Sequence, residues 1–196
     1  MRNSVIIGLL IVCILACEHP FSARHPETPS TSQSLWIPPH TPEDVVTNLI
    51  YAVQERHSEN YMRCFLDDPE ASRAYHFEPD PEAAALYPFL HQWTLEQEEN
   101  MIQETFSLVP VDSGLSLQFP VQVREVISAD SAVLVRQYRW VIRHGNPAMP
   151  EVLEGHAEMR MAEGTLGEWG IYQWIDFSIS ELPSASDWKA ALGATQ

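Results

Sequence analysis

Glu98 is the first residue to weigh for chemistry, because it stands among apolar neighbours. Trp93-Thr94-Leu95-Glu96-Gln97 reads as the opening of a helix, with Thr94 and Gln97 spaced as a capping box. The buried stripe that follows holds Leu95, Glu98, Ile102, Thr105 and Phe106. A carboxyl taken out of water there suits general acid–base work. The bland alternative is an ion pair inside the core with a basic partner such as Arg136. Arg136 itself lies in a run of period two, where Leu134, Tyr138, Trp140 and Ile142 share its face. Met159 falls on the apolar side of a later alternating run. Asp176 follows Trp174 by two residues, either as a polar group of an interior or as one that closes a turn. His156 alternates with Glu154, Glu158 and Arg160, so it belongs to a polar, solvent-facing side.

Other chemistries find little support. Cys64 sits in the apolar helical stretch Tyr61-Met62-Arg63-Cys64-Phe65-Leu66 without a neighbouring His, and reads as a small buried hydrophobe. HExxH, CxxC, GxSxG and a Gly-rich phosphate loop are all missing. His76 and His91 lack ligand-like spacing to other His or Cys, so the sequence calls for no metal and no cofactor. The formal charge is −16, with 27 acidic and 11 basic residues. No Lys/Arg cluster interrupts that field, which excludes nucleic acid as a partner.

The chain begins as a targeting segment. After Arg2, residues 5–16 run almost wholly apolar, too short to span a bilayer as a helix and in keeping with a signal peptide over residues 1–16. The run ends in Ile14-Leu15-Ala16-Cys17, which resembles the bacterial lipobox. That resemblance implies cleavage before Cys17, lipid on its sulfur, and attachment of the mature chain to a membrane on the periplasmic or extracellular side. Cleavage would leave 180 of the 196 residues and move the formal charge from −16 to −17. Residues 17–40 then form a lipid-anchored tether, rich in Pro with Ser, Thr and His and without apolar period. Only Trp36-Ile37 has the character to dock on a folded domain.

Folding starts at Thr41. Thr41-Pro42-Glu43-Asp44 supplies a capping hydroxyl, a proline at the first helical position and acids at the positive end of the dipole. Val46, Leu49, Ile50 and Val53 follow at helical spacing, and Ser58-Glu59 restarts a second helix that Asp67-Asp68-Pro69 stops. Residues 70–92 read as irregular, with a short extended piece at 77–81. From Leu115 the period becomes two. Phe119, Val121 and Val123 alternate with polar residues, as do Leu153, Ala157, Met159 and Met161; residues 169–177 are apolar on both faces. Trp188-Lys189-Ala190-Ala191-Leu192 reads as a short helix packing back.

Helices followed by an antiparallel meander indicate an α+β fold. The order resembles the nuclear transport factor 2-like superfamily, which includes ketosteroid isomerase and SnoaL-type cyclases. The resemblance is carried by Thr41-Pro42-Glu43, Phe77-x-Pro79, Trp93-Thr94, the ending 168–176 and Trp188-Lys189. It covers about residues 41–192 and looks like that of uncharacterised bacterial lipoproteins of the superfamily. It implies N-terminal helices on a curved antiparallel sheet, a cone of the cystatin-like kind with an apolar pocket. Tyr138, Trp140 and Met159 would line that pocket, joined by Glu98, Arg136 and Asp176. There Tyr138 could hydrogen-bond a developing enolate. No carboxylate or His–Asp pair aligns with those of the enzymes, so the catalytic residues stay unassigned. Three roles remain open: an envelope lipoprotein binding a small apolar ligand or a partner domain, an isomerase, dehydratase or cyclase, and an assembly protein forming a homodimer through its sheet face.

Overall fold

The computed structural model describes residues 34–68 and 73–193. The expected signal segment, Cys17 and most of the expected tether lie outside the described residues, as does Pro69 of the expected helix stop.

Helix α1, Pro42–Glu55, starts where local chemistry demands. The Thr41 hydroxyl accepts from the Asp44 amide at 3.2 Å, and the Asp44 carboxylate accepts from the Thr41 amide at 2.9 Å. Two of the helix's orphan backbone groups are thereby satisfied. Its apolar stripe buries Val45, Val46, Leu49, Ala52 and Val53. Helix α2 is short, Ser58–Met62. Strand β1, His76–Glu78, and helix α3, Pro81–Leu86, follow, then a 3-10 turn at Pro88–Gln92. The expectation of irregular chain over 70–92 is therefore corrected. Asp80 accepts from the amides of Glu82 and Ala83, and Pro81 sits at the first helical position, so six residues suffice for a capped helix.

Helix α4, Leu95–Leu108, carries the expected capping box between Thr94 and Gln97. Strands β2, Leu115–Ile127, β3, Ser131–Ile142, β4, Val152–Glu163, and β5, Trp169–Phe177, form the meander. Helix α5, Ala185–Gly193, packs back as expected.

The sheet order is β1-β5-β4-β3-β2, with the two edge strands unpaired to each other, so the sheet is open. Strands β2 to β5 pair antiparallel, but β1 runs parallel to β5, placing Phe77 opposite Trp174. The sheet is mixed, not wholly antiparallel. A parallel pair needs a long crossover, and here all of α3, α4 and the meander separate the two strands. Three residues carry no period that could reveal it.

Register shifts at Gln118/Val121 and Gln122/Arg124 break β2. Bulges of this kind bend a strand and redirect its side chains. After them Gln122 and Glu125 take the register positions opposite Arg136 and Leu134, and they are exposed, as Val121 and Val123 are. The simple alternation expected over 119–123 fails for that reason. On the inner face Leu134, Tyr138, Trp140, Leu153, Met159 and Met161 meet Leu49, Val53, Met101 and Ile102 in one core.

The folded unit also takes in residues before Thr41. The Asn48 side chain accepts from the Ile37 amide at 2.9 Å and donates to its carbonyl at 2.6 Å, pairing with the backbone as a strand would. Trp36 lies under the Arg63 guanidinium at 3.9 Å, and Pro39 accepts from the Trp169 amide. Trp36-Ile37 thus docks, and the compact unit begins at Ser34. No helix among the described residues is long and apolar enough to cross a membrane.

Candidate functional site

Two polar clusters lie inside the cone. The first centres on Glu98, only 2% exposed. Burial of a carboxylate is tolerated where donors replace water, and four converge here. Tyr61 Oη donates to Oε1 at 2.9 Å, Tyr75 Oη to Oε2 at 3.0 Å, and Trp93 Nε1 to Oε2 at 2.8 Å. The fourth donor is the Lys189 ammonium, 4% exposed, which pairs with Oε2. The ammonium also lies 4.6 Å from the Phe77 ring centroid and 5.0 Å from that of Trp93. Burial pulls Lys189 below its ordinary 10.5, and the charge of Glu98 pushes it back. Burial first, then Glu98, raises the Tyr61 and Tyr75 hydroxyls well above their usual values, so both act as proton donors in these bonds.

The second cluster ties α5 to the sheet. Tyr138 Oη donates to Asp176 Oδ1 at 2.7 Å and accepts from the Ala185 amide at 2.7 Å. Asp176 Oδ2 accepts from the Ser186 amide at 2.8 Å and hydroxyl at 2.6 Å. The carboxylate thus faces the first turn of α5, where backbone donors and the dipole favour negative charge. Burial raises Asp176 above its ordinary 3.8, while the bonds from Ser186 and Tyr138 pull the other way. A carboxyl raised in the folded state stabilises the fold below its unfolded value and loses that contribution as pH rises through the raised one. The stability of the wild type relative to Asp176→Asn should accordingly fall as pH rises above the ordinary 3.8. Urea unfolding across that range reads it, and a constant difference would rule out the titration.

The sequence-selected residues separate into groups. Glu98, Tyr138 and Trp140 share the wall of one cavity with Tyr61, Trp174 and Lys189. The space left there is about 10 Å³, room for about one water. Asp176 stands behind Tyr138, and Met159 is wholly buried beside Leu134 and Trp174 in the sheet register. Arg136 is elsewhere: its guanidinium meets Gln122 at 2.7 Å, Glu43 at 2.7 Å and Glu125 at 3.0 Å. The expected pairing of Glu98 with Arg136 is replaced by Glu98–Lys189.

Lys189 escaped the sequence reading. The available signal was a single lysine, the only one in 196 residues, inside an apolar helix. Tyr61, Tyr75 and Trp93 gave no comparable sign, being indistinguishable from core aromatics. Trp140 and Trp174 both line the cavity, and the Nε1 of each is buried without a partner among the described residues. Cys64 is buried and its thiol pushed far up by desolvation, in keeping with an inert role. Among the described residues no group of three His, Cys, Asp or Glu is placed to hold a metal.

No family model and no curated protein matches the sequence. Similarity appears among solved structures. A candidate aromatic ring hydroxylase from Novosphingobium aromaticivorans superposes with a TM-score of 0.52 at 11% identity, over 75% of this chain and 92% of that one. A candidate scytalone dehydratase from the same organism gives 0.51 at 12% identity, over 73% and 89%. A nuclear transport factor 2-like superfamily protein from Salmonella enterica serovar Typhimurium gives 0.50 at 14% identity, over 70% and 88%. At such identities the likeness is one of fold.

Proposed function

We propose that this chain, whose fold is that of the nuclear transport factor 2-like superfamily, is a lipid-anchored envelope protein with a non-catalytic small-ligand module. One observation carries the binding reading: Trp140 and Trp174 line the same cavity, and the indole N–H of each is buried without a partner among the described residues. An unsatisfied buried donor costs about 1–3 kcal/mol, and a ligand acceptor reaching either indole would relieve that cost. The non-catalytic reading follows from what surrounds them. Glu98 accepts from four donors and Asp176 from three, so each carboxylate is held by the fold and not presented to a substrate. The enzyme alternative, an isomerase or dehydratase, needs an available base beside its substrate, and both carboxylates here are held by donors of the fold.

A titration with small apolar carbonyl compounds tests the binding reading through the indole N–H resonances. At least one of the Trp140 and Trp174 signals should shift saturably. If both stay fixed across a panel of such compounds, the cone is a packed core and the reading fails.

The anchor rests on Ile14-Leu15-Ala16-Cys17 after a short apolar run. Replacing Cys17 with Ala should release the protein from membrane fractions, and retention there would overturn the anchor. The outer sheet face supports a second role, self-association. Pairs Arg124–Glu158, Arg160–Glu158 and Arg139–Glu154 make it nearly balanced in an acidic chain, with Val121 and Val126 exposed beside them. A face with both signs can meet a second copy of itself without net repulsion. Light scattering on the released protein distinguishes dimer from monomer.

A further inference from the structure

The Glu98 cluster is assembled in an uneven way. Tyr61 from α2, Tyr75 from the approach to β1 and Trp93 ahead of α4 all hold the carboxylate. None of these three comes from α5. Three of the four donors on the carboxylate thus come from the body of the domain. What α5 brings is the ammonium, which enters a recess with the faces of Phe77 and Trp93 at 4.6 and 5.0 Å and Glu98 in front. Aromatic faces with a carboxylate are how proteins recognise ammonium ligands. The recess is occupied by the only lysine of the sequence.

The same helix is flanked by negative charge. A surface groove of about 450 Å³ beside its first turn is lined by Asp80, Glu82, Glu181 and Asp187. In a chain of net charge −16, such a groove concentrates cations from solution.

We propose that the Phe77–Trp93–Glu98 recess is a binding site for a small primary alkylammonium ligand, closed in the free protein by Lys189 as an internal ligand. The inference goes beyond the acceptor reading of the cone and assigns a cationic ligand class to a different wall of the same interior. An external amine takes the place of the Lys189 ammonium and α5 withdraws. Ligand entry and helix release are then one event, because the same carboxylate cannot serve both cations within the space available.

The single lysine makes the test direct. Full-length protein labelled with ¹⁵N at lysine and tryptophan shows one lysine backbone amide, and the Trp93 Nε1–H resonance reports on Glu98. Titration with n-butylammonium should shift both saturably and speed exchange of the α5 amides, whereas n-butanol, of similar size but neutral, should do neither. Lys189→Ala removes the competitor and should tighten n-butylammonium binding by about tenfold or more, since the closed state no longer draws on the binding-competent one. If that variant does not fold, the wild-type titration still decides. Silence of Lys189 and Trp93 at saturating n-butylammonium, or an equal response to n-butanol, overturns the proposal. The two readings fail separately: Trp140 and Trp174 report on an acceptor in the cone, Lys189 and Trp93 on a cation at Glu98.

Discussion

Glu98→Gln is expected to cost the fold about 3–5 kcal/mol, because it strands a buried ammonium without its counter-charge. Lys189 lies among Phe77, Trp93 and Glu98 and has no water to return to while α5 stays in place. The glutamine amide aggravates the loss. Four donors converge on the present carboxylate, and a side chain that itself donates cannot accept from all of them. For a domain of this size each kcal/mol is worth about 2–4 °C, so the melting temperature should drop by roughly 10 °C. The double variant Glu98→Gln, Lys189→Met should regain a large part of the loss, since neither charge then remains buried. Urea unfolding of both variants checks the pair. A loss below about 1 kcal/mol in the single variant would show that Lys189 reaches water and that the ion pair is not a closed one.

Gly155→Ala is expected to be similarly damaging for a steric reason. A Cβ at Gly155 would lie 2.4 Å from Tyr138 Oη, 2.7 Å from its Cζ and 2.8 Å from the Phe177 carbonyl oxygen. Two of these obstacles are a rigid ring and a backbone atom, and neither yields as the end of a flexible chain would. Tyr138 must shift, and with it go the bonds to Asp176 and to the Ala185 amide that seat α5. Overpacking costs about 1–3 kcal/mol, and a buried group left unpaired about as much again. A total near 4 kcal/mol is expected from chemical unfolding, with the amides of α5 losing hydrogen-exchange protection first. Adding Tyr138→Phe should recover only part of it, because the ring and the Phe177 oxygen still obstruct the methyl group. Unchanged protection of α5 would show that Tyr138 does not couple β4 to that helix.

Both effects concern one device, the seating of α5 in the cone, and both were half visible in the sequence. Glu98 stood out because it interrupts an apolar stripe, and its burial follows from that position. Its partner did not follow. The nearest polar candidate by face was Arg136, but the bulges of β2 bring Gln122 and Glu125 to that guanidinium and hold it away from Glu98. Tyr138 and Trp140 were recognisable as inward-facing by their period, while the closing of Tyr138 onto Asp176 and Ala185 was not.

What the sequence determined by itself is what neighbours within a few residues enforce. The starts of α1 and α4 are written in Thr41 with Asp44 and in Thr94 with Gln97, each pair three residues apart. The alternation of β4 is equally local, since successive side chains of a strand must point to opposite faces. The tertiary structure decided everything that joins distant segments: the parallel pairing of β1 with β5, the docking of Trp36-Ile37, and the company of Glu98. Its donors Trp93, Tyr75, Tyr61 and Lys189 lie 5, 23, 37 and 91 residues away. Over such separations residue type says only that a group needs a partner. Which group arrives depends on the path of the chain through the whole fold, because only the packed layers bring α2, β1, α4 and α5 to one point.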